Sequence, residues 1–185
     1  MNHKDINKIA FTGSTQVGKL IQKSLAGRDV GLTLELGGKA ANIVYEDAAI
    51  DQAVEGVVNG IFFNQGHVCC AGSRLLLQES IHDEFITKLE KRMQTLRVGN
   101  PLDKNTDIGA VNSKEQLNKI EELVNEGVSD GGKIFQTECE LPGNGFWFKP
   151  TLFTDVQPSY SIAREEIFGP VPVSYTHLRA HETQD

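Results

Sequence analysis

Short apolar segments alternate with amphipathic helical patterns along this chain, and this alternation constrains its fold more than any other feature. Residues 8–12 have the composition of a short buried strand, and apolar side chains then follow at helical spacing from Ser14 to a stop at Gly27. Strands that alternate with helices favour an α/β fold with largely parallel strand pairing. Similar patterns predict strands at 32–36, 74–78, 133–136 and 146–149, and helices beginning near Asp47, Ser80 and Ser113.

The helical segments also predict the environment of individual side chains. Val17, Leu20, Ile21 and Leu25 recur at the spacing of an inner helix face, and so do Phe85, Leu89 and Met93 in a later helix. Ser80 is placed to cap that later helix, and Ser113 with Gln116 has the spacing of a capping box. We therefore expect these apolar side chains to be buried, and both serines to bond to the first turns of their helices.

Composition and charge argue against several classes of protein. The 185 residues are 39% apolar and 23% charged, which is typical of one globular domain or parts of two. A net charge of -7 without a clustered basic stripe argues against a nucleic-acid or anionic membrane partner, and no apolar run is long enough to span a bilayer. Three cysteines, two of them adjacent, suit neither a disulfide framework nor a metal site, so a cytoplasmic location is expected.

The segment 64–74 holds two adjacent cysteines among small residues. A thiol in such a loop can act as a nucleophile, although a buried cysteine is more often a small apolar side chain. We therefore expect one of Cys69 and Cys70 to be a buried packing residue, which leaves the other as the candidate nucleophile. His67 lies two residues before Cys69, which leaves a Cys–His dyad open as an alternative. Cys139 lies between two glutamates and is expected to have no role.

Glu35 stands in the otherwise apolar segment 32–36, shortly before two glycines. Strand alternation puts it on the same face as Thr33, so a carboxylate that faces solvent is one interpretation. A carboxylate at a desolvated site would instead be a stronger proton acceptor and could serve as a general base. The residues alone leave both interpretations open.

Two further segments could bind a ligand. Gly13 and Ser14 lie at a junction of strand and helix, where free backbone N–H groups and the helix dipole favour a phosphate. Ser14 as a plain helix cap explains the same residues equally well. Glu166 and Phe168 belong to the segment 165–170, which taken alone is a turn before a proline with charged side chains in solvent.

Four segments, in this order, resemble the aldehyde dehydrogenase superfamily: Phe-Thr-Gly-Ser-Thr at 11–15, Glu-Leu-Gly-Gly-Lys at 35–39, Asn-Gln-Gly-His-Val-Cys at 64–69 and Glu-Glu-Ile-Phe-Gly-Pro at 165–170. The resemblance covers roughly residues 3–173 and implies an NAD(P)-dependent enzyme of the hydrolytic type. Such an enzyme oxidises an aldehyde to a carboxylic acid through a cysteine thiohemiacetal and thioester, with NAD or NADP as cofactor. The resemblance also implies a homo-oligomer, either a dimer or a tetramer.

The resemblance assigns roles to individual residues. In the family pattern Asn-x-Gly-x-x-Cys the nucleophile follows the glycine by three residues, which selects Cys69 and leaves Cys70 as its neighbour. Glu35 would activate the water that releases the acid. Position 67 is commonly glutamine in the family, whereas this chain has His67, and the family needs no such histidine. The residues implied in cofactor binding are Gly13, Ser14, Leu36, Glu166 and Phe168.

The resemblance further implies an arrangement of domains. Residues 1–38 match the C-terminal part of a Rossmann-like NAD(P)-binding domain, and residues 39–173 match the N-terminal part of a parallel-sheet catalytic domain. The chain is thus expected to be an internal fragment that is inactive alone. Residues 174–185 have neither strand nor helix period and resemble translated sequencing adaptor, so we expect a non-native tail, with a solvated native end or a metal-binding tail as alternatives.

Three other functions stay open. A CoA-acylating relative would pass the thioester to coenzyme A, although such relatives tend to lack a base at the position of Glu35. A catalytically silent scaffold is a second possibility, but it need not retain both Glu35 and Cys69. A cysteine hydrolase without a nucleotide would need an orienting histidine, and before the tail only His3, His67 and His82 are available.

Overall fold

The chain folds into two compact units, Met1–Gly38 and Lys39–Asp185, which we call unit 1 and unit 2. A computed structural model describes the backbone of residues 3–178 and the side chains of residues 3–175. Each unit combines helices with parallel strand pairs, so the predicted α/β class is confirmed.

Unit 1 is a strand–helix–strand unit. Strands β1 (Lys8–Gly13) and β2 (Gly31–Leu36) pair in parallel along their whole length, and helix α1 (Thr15–Leu25) connects them. A parallel pair needs such a crossover, and the helix packs back on the strands that it joins.

Helix α1 buries a narrower face than its sequence predicts. Ile21 and Leu25 are buried as expected, whereas Val17 and Leu20 are 41% and 59% exposed, so their predicted burial is wrong. A sheet of two strands offers a narrow apolar surface, and this surface covers only one stripe of the helix.

Unit 2 contains a five-stranded sheet with the order β3-β4-β7-β6-β5. Neighbouring strands are parallel except β5, which runs antiparallel to β6. The parallel order explains why long connections separate these strands in the sequence. The strands are β3 (Ala41–Val44), β4 (Arg74–Gln78), β5 (Lys133–Gln136), β6 (Thr151–Thr154) and β7 (Val173–Leu178).

The helices of unit 2 supply two apolar clusters that enclose the sheet. Phe85, Leu89 and Met93 are completely buried in the first cluster, which confirms their predicted inward face. The second cluster centres on Ile120 and Phe153. In the part of the chain that the structure describes, no helix combines the length and the apolar character needed to cross a membrane. The helices are α2 (Ile50–Phe62), α3 (His82–Met93), α4 (Lys114–Ser129) and α5 (Ser161–Arg164).

Two local predictions for unit 2 are wrong, and one strand was missed. Segment 146–149 is not a strand, because its backbone bonds to a loop, with the Val111 N–H donating to the Phe146 carbonyl. Ser80 does not cap α3, since its hydroxyl donates to the Glu46 carboxylate at 2.9 Å. Strand β3 was not predicted at all.

The end of the chain differs from its prediction as far as the structure describes it. Residues 174–178 belong to β7, which pairs in parallel with β4, and the Ser174 side chain is fully buried. The expected lack of regular structure is therefore wrong for these five residues, because pairing with β4 compensates for their weak strand pattern. Residues 179–185 lie outside the described residues, and the non-native origin of the tail stays a prediction.

Candidate active site

Lys39 and two of the motifs lie in unit 2 and precede three neighbouring parallel strands. Lys39 precedes β3, the cysteine segment (residues 64–73) precedes β4, and the segment 165–170 precedes β7. The registers Ala41↔Arg74 and Arg74↔Val173 align the beginnings of these strands. Lys39 and the two segments therefore lie at the end of the sheet where these strands begin, although Lys39 and Glu165 are 126 positions apart in the sequence.

A left-handed turn introduces the cysteine segment. Asn64, Gln65 and Gly66 have φ values of 48°, 58° and 76°. Such a conformation is uncommon for residues other than glycine and costs about 1–3 kcal/mol per residue, so its surroundings must stabilise it. The Asn64 side chain donates to the His67 carbonyl at 3.2 Å, and the Gln65 side chain accepts from the Gly109 N–H at 3.1 Å.

Gly66 brings the cysteine segment into contact with the segment 165–170. A Cβ atom added at Gly66 would lie 2.1 Å from the Gly169 carbonyl oxygen, which is far inside van der Waals contact. Glycine also adopts the required φ of 76° at no steric cost. The two segments thus touch backbone to backbone, and any larger residue at position 66 would separate them.

We expect Gly66→Ala to destabilise unit 2 by about 2–5 kcal/mol, because overlap with a backbone atom adds to the strain of a positive φ. Urea unfolding of the chain measures the difference. Gly56→Ala is the matched control, since Gly56 lies exposed on α2 with open space around its Cα. That change should instead stabilise the helix by about 0.5–1 kcal/mol. Equal effects of the two changes would contradict the proposed contact.

The aromatic rings of His67 and Phe168 form a second contact between these segments. Their centroids lie 5.2 Å apart and their planes differ by 3°, which is a stacked pair. The His67 Nε2 atom is buried and, among the described residues, has no hydrogen-bond partner. Burial lowers the pKa of His67 below its ordinary value of 6.5, so the ring is neutral at physiological pH. This environment favours a packing role over the Cys–His dyad.

Helix α4 holds the backbone of the segment 166–168 from the other side. The Gln116 amide donates to the carbonyls of Ile167 and Phe168 at 2.9 and 3.0 Å, and the Lys119 ammonium donates to the Glu166 carbonyl at 3.1 Å. Three consecutive carbonyls are therefore bonded to one helix face. These bonds help to explain how Phe168 keeps a φ of 54°.

Sequence reasoning missed this role of Gln116. The Ser113 hydroxyl accepts from the Gln116 N–H at 3.1 Å, as a cap should, but the Gln116 side chain does not return to the cap. The capping box is therefore only half formed. The i, i+3 spacing of Gln116 and Lys119 was visible in the sequence, whereas their target, 47 to 52 residues away, was not.

A buried cation lies in the same region. The Lys39 Nζ atom is buried and has no hydrogen-bond partner among the described residues. Burial and the positive charge of Arg74 lower the pKa of Lys39 from 10.5 to about 8, and the negative charge of Glu166 acts in the opposite direction. The amine of Lys39 therefore loses its charge at a lower pH than an exposed lysine does.

The three cysteines are free thiols in different environments. Cys69 and Cys70 are both exposed, so the expectation that one of the pair is a buried packing residue is wrong. The turn that carries them leaves both residues accessible to solvent. Cys139 is half-buried and its sulfur accepts a weak bond from the Thr137 hydroxyl at 3.6 Å.

Unit 1 carries the other residues of interest. Ser14 caps α1, since its hydroxyl accepts from the Val17 N–H at 3.3 Å, directly after Gly13 ends β1. Glu35 is exposed, as strand alternation predicts. The Leu36 side chain packs against Gly18 of α1, where a Cβ atom would lie 2.5 Å from its methyl group.

Comparisons with known proteins identify the family. A model of the aldehyde dehydrogenase family matches residues 1–182. The chain belongs to the aldehyde dehydrogenase family. It is 50% identical over 175 residues to retinal dehydrogenase 2 of Taeniopygia guttata, with 92% of this chain and 33% of that protein covered. It is 44% identical over 173 residues to cytosolic 10-formyltetrahydrofolate dehydrogenase of Xenopus laevis, with 93% and 19% covered.

Solved structures of aldehyde dehydrogenases support the same assignment. The chain superposes on the NAD+ complex of the Bacillus cereus aldehyde dehydrogenase with a TM-score of 0.89 and 39% identity, covering 94% of this chain and 35% of that one. The resemblance predicted from the four motifs is therefore confirmed, and so is the partial aldehyde dehydrogenase fold. The chain spans about a third or less of the length of these relatives.

Within this family member, unit 2 brings together the cysteine segment, Lys39 and the cofactor candidates Glu166 and Phe168, while Gly13, Ser14, Glu35 and Leu36 lie in unit 1. No three histidine, cysteine, aspartate or glutamate side chains of the described residues are grouped so that they could hold a metal ion.

Proposed function

We propose that this chain supplies the nucleophile and part of the cofactor site of an NAD(P)-dependent aldehyde dehydrogenase of the hydrolytic type. The substrate is an aldehyde and the product is a carboxylic acid. The observation that carries the proposal is the direct contact between the cysteine segment and the segment 165–170 at Gly66 and His67, in a chain of this family.

The residues fit an NAD or NADP cofactor. Helix α1 begins immediately after β1 and has no acidic residue in its first turn, so its N-terminus can accept a phosphate. Gly13 and Ser14 would hold the pyrophosphate there. The half-buried Glu166 carboxylate can accept hydrogen bonds from ribose hydroxyls, and Phe168 and Leu36 offer apolar surface to the nicotinamide. The B. cereus relative binds NAD+, which supports this choice.

The proposed chemistry runs through one sulfur atom. The Cys69 thiolate attacks the carbonyl carbon of the aldehyde, forming a C–S bond, and the backbone N–H of Cys69 is available to the oxyanion that develops. When bound, NAD(P)+ supplies the acceptor for the hydride of that carbon. The acyl group then stays on Cys69 as a thioester. Glu35 takes a proton from water, the resulting hydroxide attacks the thioester, and the C–S bond breaks to release the acid and the thiolate.

We propose the following setting for this site. Residues 1–38 form the last part of the cofactor domain, and residues 39–173 form the first part of the catalytic domain of a homodimer or homotetramer. Three free thiols support a reducing cytoplasm, in line with the cytosolic relative from X. laevis. Catalysis needs residues beyond this third of the fold, so residues 1–185 alone are expected to give no steady turnover.

The complete protein that carries this sequence tests the proposal. With a simple aldehyde, we expect steady formation of NADH or NADPH without coenzyme A, and loss of this activity after the thiols are alkylated. Activity that requires coenzyme A would replace the hydrolytic reaction by acyl transfer to that thiol. Absence of turnover with several aldehydes and both cofactors would favour a silent scaffold and contradict the proposal.

A further inference from the structure

We propose that His67 is a positioning residue for cofactor binding, because its stacked imidazole holds the Phe168 ring in the orientation that the nicotinamide contacts. This inference rests on the proposed function, which assigns the nicotinamide contact to Phe168. His67 supports that contact and has no direct role in the chemistry.

Hydrogen bonds from helix α4 fix the backbone of Phe168 but do not fix its ring. The two hydrogen bonds from Gln116 go to the carbonyls of Ile167 and Phe168, and they leave the ring free to rotate about its side-chain bonds. A φ of 54° is an unusual backbone conformation for a bulky residue such as Phe168. The orientation of the ring must therefore be fixed by a contact to the ring itself.

The His67 ring is the contact that can make this selection. The two planes are parallel within 3° at a centroid distance of 5.2 Å, so each ring limits the rotation of the other. His67 is itself held by its backbone, since its N–H donates to the Asn64 carbonyl at 2.9 Å and its carbonyl accepts from the Asn64 amide. The stack thus joins two segments that are each fixed independently.

The unpaired nitrogen of His67 argues for a role of the ring plane over a role in hydrogen bonding. Its buried Nε2 has no hydrogen-bond partner in the described part of the chain. An unpaired buried nitrogen costs free energy of folding, and an apolar ring would avoid this cost. Burial also keeps this ring neutral by lowering the pKa of His67, and a neutral ring packs on an aromatic face without a desolvated charge. The stack is what the histidine contributes here.

Loss of the preferred orientation of the Phe168 ring should lower the affinity for NAD+ by a measurable factor. An aromatic pair contributes roughly a factor of two to twelve, so loss of the stack should weaken NAD+ binding by about three- to tenfold. The chemical step is not touched by this contact. We therefore expect the effect in the Kd and KM of the cofactor, with the KM of the aldehyde and kcat at saturating NAD+ nearly unchanged.

The test uses the complete protein with substitutions at position 67 and calorimetric titration with NAD+. His67→Phe keeps the stacked ring and should leave the Kd of NAD+ within about twofold, whereas His67→Ala should raise it about three- to tenfold. If His67→Ala does not fold, His67→Leu gives the same comparison, because it fills the space without a planar ring.

His82→Ala is the matched control. His82 also has a buried Nε2 without a partner among the described residues, but it begins α3 and its ring bonds to Asp83. This change is expected to lower the melting temperature and to leave the Kd of NAD+ unaltered, which separates lost stability from lost positioning.

Two results would overturn the inference. One is a Kd of NAD+ that stays unchanged in both His67→Ala and His67→Leu, and the other is a Kd that His67→Phe raises as much as His67→Ala does. If the unsubstituted protein binds neither NAD+ nor NADP+, the proposed function fails together with the inference. If the unsubstituted protein binds the cofactor normally and position 67 has no effect, only the inference fails.

Discussion

Cys69→Ser in the complete protein should lower kcat for aldehyde oxidation by at least about 10³-fold. The serine hydroxyl stays protonated near neutral pH and its oxygen is a weaker nucleophile than a thiolate, so attack on the carbonyl carbon becomes slow. Binding of NAD+ should be retained, because this change replaces one atom, sulfur by oxygen, in an exposed side chain. Initial rates of NADH formation and titration with NAD+ measure the two quantities separately.

Cys70→Ser is the control that the sequence itself provides. Cys70 is adjacent, exposed and equally free, so it differs from Cys69 chiefly in its distance from Gly66. We expect it to retain activity within about threefold, as a surface substitution away from the chemistry should. Peptide mass spectrometry after mild alkylation should show protection of Cys69 by aldehyde. If Cys70→Ser abolished turnover while Cys69→Ser did not, the nucleophile would be Cys70.

The sequence predicted those features that depend on interactions between residues close together in the chain. The spacing of Phe85, Leu89 and Met93 defined the buried face of α3, and Ser14 at the junction of strand and helix defined the start of α1. Both features arise within a few residues of chain, through side-chain periodicity and a cap bond. They therefore needed no knowledge of the rest of the fold.

The wrong predictions arise where a distant partner decides the structure. Aromatic residues gave segment 146–149 the composition of a strand, but the pairing position beside β5 is taken by Thr151–Thr154. Strand β3 has only four residues and includes Asn42, so its own signal is weak, and pairing with β4 forms it. Residues 174–178 follow the same rule.

The sequence proposes candidate residues for the site but not their arrangement. By resemblance the motifs propose Cys69, Glu166 and Phe168, and these assignments stay predictions, whereas the strand order β3-β4-β7 that aligns their segments is a long-range property. The Gln116 bonds and the His67 stack depend on that order. A sequence read without its topology therefore assigns both residues to other roles, namely a capping box and a possible dyad.

Glu35→Gln should separate the two halves of the reaction. The amide cannot take a proton from water, so hydrolysis of the thioester should slow by about 10²- to 10⁴-fold, whereas attack by Cys69 does not need this carboxylate. Rapid mixing should therefore give a burst of about one NADH for each active site, followed by a slow steady rate. Intact-protein mass spectrometry should find the acyl group on the enzyme after the burst.

The Glu35→Gln variant is a demanding test of the proposal, because the Glu35 side chain is exposed. Glu35 lies on the open face of β2, beside Thr33, where water reaches it freely. Glu138→Gln, another exposed glutamate, is the control and should leave both phases unchanged. A small added nucleophile such as hydroxylamine should restore the steady rate of Glu35→Gln, because it attacks the thioester without a base. If the variant instead lost the burst, the carboxylate would act before the thioester forms, and an unchanged steady rate would assign the base to another residue.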